Sequence, residues 1–275
     1  MSSTSYSITA FRKTIWKHYE TAGRHDLPWR KTKDPYKIMV SEIMLQQTQV
    51  DRVKPFYRDF LEQFPTIQAL AGAPLGDVLR AWQGLGYNRR AKMLHQAAQT
   101  VVQEHGGKMP KSIEGLQSLP GIGPYTARAV AAFAYNTPSV FVETNLRTVV
   151  IHHYFPGRTD IKDTEILSIL EKAYPKDRDA REWYAALMDY GSFLKRSGVK
   201  TNARVKGYAK QPTFSGSSRE ARGAILKALA KGSLSLKRLT LLLGDDRVPQ
   251  MVTQLSRLYR EGLVEREGDI YYLPR

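Results

Sequence analysis

The stretch LPGIGPYTARAVAAFAYNTPSVFVETNLRTVV, from Leu119 to Val150, decides how this sequence is interpreted. Gly121 and Gly123 lie directly before an apolar, helix-like segment, and Glu143 lies in the apolar run that follows. Glycine lets backbone amides turn outward, and the first turn of a helix carries partial positive charge. The glycine hairpin can therefore hold a phosphate, although an ordinary tight turn between two helices explains the same residues.

The composition favours a polyanionic partner. The 275 residues include 42 lysines and arginines against 26 acidic residues, which gives a formal net charge of +16. A cationic surface gains affinity for phosphates through counterion release, so nucleic acid is the leading candidate. The length allows one large split domain and a smaller second domain.

The sequence also excludes several classes of protein. No run approaches the roughly 18 apolar residues of a membrane span, and MSSTSYSITAFRKTIW lacks the apolar core of a secretion signal. We therefore expect a cytoplasmic protein with no membrane association. The absence of cysteine excludes disulfides, thiolate zinc sites and cysteine-ligated iron–sulfur clusters. We predict no cofactor and no metal.

Helical spacing of apolar residues extends over most of the chain. One strong helical segment is predicted from Tyr36 to about Arg58. Residues 196–218 are basic and rich in glycine and serine, which indicates a linker or an irregular basic loop. In residues 219–275 three helical segments precede two short apolar runs around Gly268, a pattern typical of a winged helix.

Two carboxylates stand apart from the charged surface. Glu42, in KIMVSEIMLQQTQV, shares a helix face with apolar residues, which would raise its pKa and suit it to act as a general acid. Glu143 lies at a helix start, where Thr144 or Asn145 could cap. A structural carboxylate explains Glu42 equally well, and a helix-dipole contact explains Glu143. Two such acids beside a DNA-binding hairpin suggest hydrolysis of a glycosidic bond.

Residues from about Leu27 to Phe155 resemble the helix-hairpin-helix DNA glycosylases of the endonuclease III superfamily, and specifically the MutY-type adenine glycosylases. The resemblance is carried by LPWR, DPYKIMVSEIMLQQTQV, FPTIQALAGAPL, WQGLGYNRRA, HGGKMP, LPGIGPYTA and the ETN helix start, and MDYGSF extends it. It implies a mainly α fold. The predicted domains are a two-lobed glycosylase domain, residues 1–195, with lobes 31–135 and 1–30 plus 136–195, then the basic segment 196–218 and the winged helix 219–275.

The resemblance also implies roles for individual residues. Glu42 protonates the adenine ring, Glu143 occupies the position of the catalytic aspartate with Asn145 beside it, and Tyr125 stands where lyase members of the family carry a Schiff-base lysine. Gln46 wedges into the duplex, and the loop that begins at Leu85 probes the opposite base. The predicted DNA-binding residues are Gln46, Gln47, Thr48, Leu85, Gly86, Tyr87, Asn88, Arg89, Gly121, Ile122, Gly123, Thr126, Lys195, Arg196, Lys200, Arg204 and Lys206.

Three departures from the MutY pattern matter. Glu143 replaces an aspartate and is one methylene longer, and Asn88 replaces a tyrosine. The cysteines that usually bind an iron–sulfur cluster are missing, and a basic segment stands in their place. A winged-helix pattern replaces the usual C-terminal domain that recognises 8-oxoguanine.

The predicted function is that of a monofunctional DNA glycosylase that acts as a monomer on double-stranded DNA. We expect it to flip and remove a mispaired base, with adenine opposite guanine or 8-oxoguanine as the first choice of substrate. Thymine or uracil mispaired with guanine is the second. A lesion-binding protein without catalysis is the alternative from another class.

Overall fold

The computed structural model describes residues 6–206 and 213–275. In this part of the chain helices predominate, which confirms the mainly α prediction. In chain order the elements are α1 (Ile8–Ala22), α2 (Pro35–Leu45), α3 (Val50–Gln63), α4 (Ile67–Gly72), α5 (Leu75–Ala81), α6 (Arg89–Glu104), α7 (Ile113–Gln117), α8 (Pro124–Tyr135), α9 (Thr144–Tyr154), α10 (Asp163–Ala173), α11 (Ala180–Arg196), α12 (Ser218–Leu229), β1 (Leu234–Ser235), α13 (Leu236–Thr240), α14 (Val248–Arg260), β2 (Glu265–Glu267) and β3 (Ile270–Tyr272).

The described residues divide into two compact units. The first comprises residues 6–38, 111–116 and 123–206, and the second comprises residues 39–110, 117–122 and 213–275. The domain boundaries predicted from the sequence stay predictions. Among the described residues, no helix has both the length and the apolar character that crossing a bilayer demands.

The core of the first unit forms around α11. This helix packs on α9, α1 and α8, and its Trp183 and Tyr184 are almost fully buried. Phe11 and Ile15 of α1 complete the same apolar cluster with no exposed surface. Burying an aromatic or aliphatic side chain of this size contributes roughly 1.5–3 kcal/mol, so α11 organises the unit.

Gly191 allows α11 to approach α9 closely. A Cβ atom at this glycine would lie 2.3 Å from the carbonyl oxygen of Asn145, closer than any side chain tolerates. The glycine of MDYGSF therefore places the last two turns of α11 directly against the N-terminal turn of α9, where Glu143 lies.

The second unit contains α3 to α6 and the C-terminal elements. Phe60 of α3 packs edge-on against Trp82 at 5.8 Å between ring centroids, and both side chains are buried. Helix α6 packs on α4 and α5, and its Leu94 and Ala98 have no exposed surface. This packing fixes the loop between Trp82 and the start of α6.

The C-terminal elements, residues 213–275, form three helices and a three-stranded antiparallel sheet in the order β1-β3-β2. Ser217 and Ser235 cap α12 and α13 through their side-chain oxygens, as serine at a helix start is expected to do. The order of helices and strands agrees with the predicted pattern, and the assignment as a winged helix stays a prediction.

These C-terminal elements dock on α5 and α6 within the second unit. The amide of Gly76 donates to the carbonyl of Pro274 at 2.7 Å, and a Cβ at Gly76 would lie 2.5 Å from that oxygen. Lys92 of α6 donates through Nζ to the carbonyl of Glu261 at 2.5 Å. Residues 213–275 are therefore fixed to the helices that carry the neighbouring loop.

Two sequence interpretations need correction or limits. The single helical segment from Tyr36 to about Arg58 is wrong: α2 ends at Leu45 and α3 begins at Val50, because Gln47 adopts a left-handed conformation with φ of 55°. In the basic segment, Thr201 is buried and Val205 forms a bridge with Ile161, so this part of the segment packs within the first unit. Residues 1–5 and 207–212, which belong to the predicted glycosylase domain and the basic segment, lie outside the described residues.

Candidate active site

Glu143 is the N-cap of α9, and backbone amides in the first turn of the helix bind its carboxylate. Its Oε1 accepts hydrogen bonds from the backbone amides of Asn145 at 2.7 Å and Leu146 at 2.9 Å. Its Oε2 accepts a third bond from Asn145 Nδ2 at 3.1 Å. The capping group is thus Glu143 itself and not Thr144 or Asn145, which the sequence had suggested.

Opposing effects set the charge of Glu143. Burial raises the pKa of its carboxyl group, and the amides of Asn145 and Leu146, together with the positive charge of Lys195, lower it. Burial is the largest effect, so the pKa lies above its ordinary value. The anionic form therefore depends on the amides and on Lys195.

Asn145 leaves a hydrogen-bond acceptor available next to this carboxylate. Its Oδ1 is buried and has no hydrogen-bond partner among the described residues, while its Nδ2 donates to Glu143. A buried acceptor without a partner costs about 1–3 kcal/mol unless a ligand or water supplies the donor. In folded proteins such an acceptor is usually satisfied by a water molecule, an ion or a ligand.

Tyr125 lies in the first turn of α8, in the same unit. Its ring packs edge-on against the buried Phe141, with 5.5 Å between centroids. Phe141 precedes Glu143 by two residues, so this contact links the start of α8 to the strand-like segment that leads into α9.

Glu42 lies in α2 and belongs to the second unit. It is 6% exposed and is flanked in the chain by the buried residues Ser41 and Ile43. Met39 and Met44 on the same helix are buried as well. The sequence placed Glu42 on an apolar flank, and the buried surroundings agree with that placement.

Arg90 is a residue that the sequence analysis missed. Its Nη1 donates to the carbonyls of Ile43, Met44 and Gln46 at 2.7, 2.9 and 2.6 Å, and its Nη2 donates to Thr48 Oγ1 at 3.2 Å and to the carbonyl of Gly86 at 3.1 Å. The guanidinium also lies over the rings of Trp82 and Tyr87. Arg90 thus holds the end of α2 and the loop before α6 together. The signal available in the sequence was an arginine one turn after WQGLGY.

The loops that Arg90 joins contain most of the residues predicted to probe the duplex. Gln47 is exposed, Gln46 and Thr48 are half-buried, and Leu85 is 5% exposed. Tyr87 has φ of 50°, a left-handed conformation that costs roughly 1 kcal/mol or more for a residue with a Cβ. Asn88 and Arg89 follow at the start of α6, where Arg89 is exposed.

The glycine hairpin divides between the two units. In the second unit Gly121 has φ of 75°, and a Cβ there would lie 2.4 Å from the Cβ of Met93, so only glycine fits. In the first unit Gly123 caps α8 without a side-chain hydrogen bond. Ile122 and Thr126 are buried, so their side chains pack inside the protein, and the predicted contact with a phosphate stays a prediction.

The basic residues after MDYGSF differ in how they present their charge. Arg204 donates to the carbonyls of Arg158 and Phe155, so its guanidinium is bound to its own chain. The other four predicted DNA contacts of this segment are exposed; they are Lys195, Arg196, Lys200 and Lys206.

The resemblance implies an iron–sulfur cluster, and the residues present do not fit one. Cluster ligands are cysteine thiolates, and the chain has no cysteine. Among the described residues, no group of three or more histidine, aspartate or glutamate side chains could hold a metal ion.

Comparison with known proteins places this chain among DNA repair proteins. Residues 40–176 match the HhH-GPD superfamily of base excision DNA repair proteins. The chain is similar to adenine DNA glycosylase of Mycolicibacterium smegmatis, with 36% identity over 96% of this chain and 94% of that protein. It is 41% identical to adenine DNA glycosylase of Homo sapiens over 52% of this chain and 28% of that protein.

Solved structures give a consistent picture of the fold. A thermostable thymine-DNA glycosylase aligns with a TM-score of 0.60 at 28% identity, over 67% of this chain and 86% of that one. Endonuclease III in a complex with DNA aligns with a TM-score of 0.55 at 18% identity, over 69% of this chain and 86% of that one. At that identity the second likeness concerns the fold alone.

Proposed function

We propose that this chain, which belongs to the HhH-GPD superfamily of base excision DNA repair proteins, is a DNA glycosylase that removes adenine from mispairs with guanine or 8-oxoguanine. The observation that carries the proposal is the similarity to a mycobacterial adenine DNA glycosylase along nearly the whole of both chains. The family that the sequence motifs predicted is thereby confirmed.

In the proposed reaction the target adenine leaves the duplex and two acids act on it. Glu42 donates a proton to the adenine ring, which makes the base a better leaving group. The anionic carboxylate of Glu143 stabilises the positive charge that develops on the sugar as the N-glycosidic bond breaks. Water adds to the sugar carbon, and the products are free adenine and an abasic site. Asn145 and Tyr125 complete the surroundings of the sugar.

Two observations support this division of roles. Glu42 is buried, and the amides at the start of α9 hold the carboxylate of Glu143. A general acid has to carry a proton when the base arrives, and Glu42 lies in a buried position on α2. Glu143 is held by three hydrogen bonds that favour its anionic form. Among the residues predicted to bind DNA, Gln47, Arg89, Lys195, Arg196, Lys200 and Lys206 are exposed.

We further propose that the enzyme is monofunctional, monomeric, cytoplasmic and free of cofactors. Tyr125 occupies the position where lyase members of the family carry a lysine, so the Schiff-base route to strand cleavage lacks its amine. Borohydride treatment during the reaction should trap little protein on the DNA, whereas efficient cross-linking would contradict this part of the proposal.

Thymine or uracil mispaired with guanine is a second candidate substrate. The likeness to a thymine-DNA glycosylase at 28% identity favours it. A panel of duplexes that each contain one mismatched or modified base, assayed for base release with enzyme in excess, separates the candidates. Release of adenine opposite guanine or 8-oxoguanine is the expected result. Release of thymine or uracil alone would favour the second candidate, and tight binding without release would favour a lesion-binding protein.

A further inference from the structure

Lys195 lies near the end of α11, one helical turn after Gly191. Residues four positions apart lie on the same face of a helix, so Lys195 extends from the face that Gly191 presents to α9. Gly191 marks the closest approach of the two helices, at the backbone of Asn145. The side chain of Lys195 therefore leaves α11 beside the N-terminal turn of α9, which Glu143 caps.

The two charges influence each other. The positive charge of Lys195 lowers the pKa of the Glu143 carboxyl group, which burial raises. Lys195 is exposed as a whole residue, but the protein around its ammonium removes enough water to lower the pKa of that group, while the Glu143 carboxylate raises it and the cation of Arg24 lowers it. The attraction between these opposite charges favours the charged form of each.

Arg147 is a second cation that interacts with Glu143: Asp163 is the main cause of the raised pKa of Arg147, and the Glu143 carboxylate adds to the rise. Arg147, on α9 itself, donates to both carboxylate oxygens of Asp163 from α10, at 2.8 and 2.5 Å. Its guanidinium is therefore held by a different acid. The remaining groups that favour the anion of Glu143 are the amides of Asn145 and Leu146 and the side chain of Asn145, which are neutral.

We propose that Lys195 is a positioning residue for the reaction, in which its ammonium group supplies the positive charge that keeps Glu143 ionised at neutral pH. This inference rests on the proposed function, because it concerns the acid that would stabilise the sugar cation. The backbone amides orient the carboxylate, and Lys195 supplies the full charge that compensates for its burial. A DNA phosphate bound nearby would add negative charge and increase this dependence.

A contact between Lys195 and a phosphate is the simpler role that the sequence suggested. The two roles differ in what they change. A phosphate contact alone affects the affinity for DNA and its dependence on salt, and it leaves the titration of Glu143 unchanged. The positioning role is supported only if the titration midpoint of Glu143 changes when Lys195 is replaced.

The first experiment measures the single-turnover rate of base release against pH with saturating enzyme. The variants are Lys195→Met and Lys195→Gln, which remove the charge, Lys195→Arg, which keeps it, and the control Lys172→Gln, which removes an exposed charge of α10 that has no predicted contact with DNA. The rate should rise with pH as Glu143 ionises. Removing Lys195 raises the pKa of Glu143, so this rise should move to higher pH by about one unit, which lowers the rate about tenfold on the rising limb. Lys195→Arg and Lys172→Gln should keep the wild-type midpoint.

The second experiment does not depend on activity. Carbon-13 NMR of protein labelled at the glutamate side-chain carboxyl, with the Glu143 signal assigned by its loss in Glu143→Gln, follows the titration of Glu143 without DNA. The midpoint should be higher in Lys195→Met and Lys195→Gln than in the wild type and should be restored in Lys195→Arg. Unchanged midpoints in both charge-removing variants, with each shown to be folded by its thermal melting, would overturn the proposal. If the wild type releases no base from any duplex while the midpoint still moves, the proposed function fails and the coupling of Lys195 to Glu143 stands.

Discussion

The guanidinium of Arg90 lies 2.6 Å from the main-chain carbonyl oxygen of Gln46. The same group donates to the carbonyl of Gly86 at 3.1 Å, so one side chain holds the end of α2 and the loop before α6. Burial lowers the pKa of Arg90 to about 10, which leaves it protonated at neutral pH. Gln46 and the loop at Gly86 are the segments proposed to enter the duplex. Arg90 holds these two segments in place relative to each other.

Replacement of Arg90 by lysine tests this relationship. A lysine keeps the charge, but its single ammonium cannot reach carbonyls on both loops, since only the planar guanidinium offers five donors in a fork. Arg90→Lys should lower the free energy of unfolding by ~2–4 kcal/mol, because buried carbonyls lose their donors. Urea denaturation measures the change, and the exposed neighbour provides the control variant, Arg89→Lys. An unchanged midpoint for Arg90→Lys would show that water replaces the guanidinium without cost.

Substitutions at Glu143 test the proposed stabilisation of the sugar cation. Glu143→Gln removes the charge and keeps the shape, since Oε1 can still accept from the amides of Asn145 and Leu146 and the amide of Asn145 can turn to present its unpartnered Oδ1. The rate of the chemical step should fall by ~3 kcal/mol or more, with DNA binding retained. Base release at the wild-type rate by Glu143→Gln would end the assignment of Glu143 as the stabilising anion.

Glu143→Asp measures how closely the site is built around the longer side chain. The shorter carboxylate can cap α9, but it moves away from the sugar by more than about 1 Å, and misplacement of that size can cost about a hundredfold in rate. Single-turnover base release and thermal melting together separate loss of reaction from loss of the cap. A variant with normal melting and about a hundredfold slower release is the expected outcome, and full activity would show that the backbone accommodates either length.

Much of the helical organisation could be predicted from sequence, because apolar residues recur with the helical period and glycine, proline and serine mark the helix ends. The end of α2 could not be predicted in the same way. The apolar and polar residues from Tyr36 to Arg58 fit one continuous helix, and the break at Gln47 is stabilised by Arg90, which is distant in sequence. Because the hydrogen-bond donor, Arg90, comes from another helix, the sequence around Gln47 gives no sign of the break.

Part of the candidate site could not be predicted from the sequence either. The sequence identified Glu143 and Asn145 as an acid and an amide near a helix start, and the structure places them in direct contact. It did not identify the cation beside them. Lys195 follows Glu143 by fifty-two residues in the chain, and Gly191 places its end of α11 against the N-terminal turn of α9. In a segment rich in lysine and arginine, no local pattern distinguishes Lys195 from the neighbouring charges.

Gly76 tests the docking of residues 213–275 on α5. Gly76→Ala introduces a Cβ that would lie 2.5 Å from the carbonyl oxygen of Pro274, so the hydrogen bond between Gly76 and Pro274 has to lengthen. Alanine is otherwise the better residue for a helix by about 1 kcal/mol. Despite that preference, Gly76→Ala should destabilise the protein by ~1–2 kcal/mol in thermal or urea unfolding.

Gly72 supplies the matched control for this prediction. It ends α4, and a Cβ there would meet no atom within 4 Å. Gly72→Ala should be neutral or slightly stabilising, because its main effect is on the conformational entropy of the unfolded chain. If the two alanine variants are equally stable, residues 213–275 do not contact α5 closely at Gly76 in solution.

Asp189 gives the fold a predictable dependence on pH. It is 1% exposed, and its carboxylate accepts hydrogen bonds from Arg24 Nε at 2.6 Å and from both terminal nitrogens of Arg30 at 2.6 and 2.7 Å. Burial raises the pKa of Asp189, but the hydrogen bonds and charges of Arg30 and Arg24 outweigh burial and hold the pKa below the ordinary value of 3.8. The folded protein therefore binds this proton less tightly than the unfolded chain does.

The stabilisation from Asp189 is fully present above its unfolded pKa and is lost as the pH falls through its lower folded pKa. Asp189→Asn should reduce the free energy of unfolding at pH 7 by ~3–5 kcal/mol, because it leaves two arginines without their buried counter-ion. The difference between the wild type and the variant should shrink as urea unfolding is repeated at pH values progressively below 4. Asp163→Asn is the control, since Asp163 pairs with Arg147 with 43% of its side chain exposed and its removal should cost only ~0.5–1 kcal/mol. If Asp189→Asn were no more destabilising than Asp163→Asn at pH 7, the buried pair would contribute nothing to the stability of the first unit beyond what an exposed pair contributes.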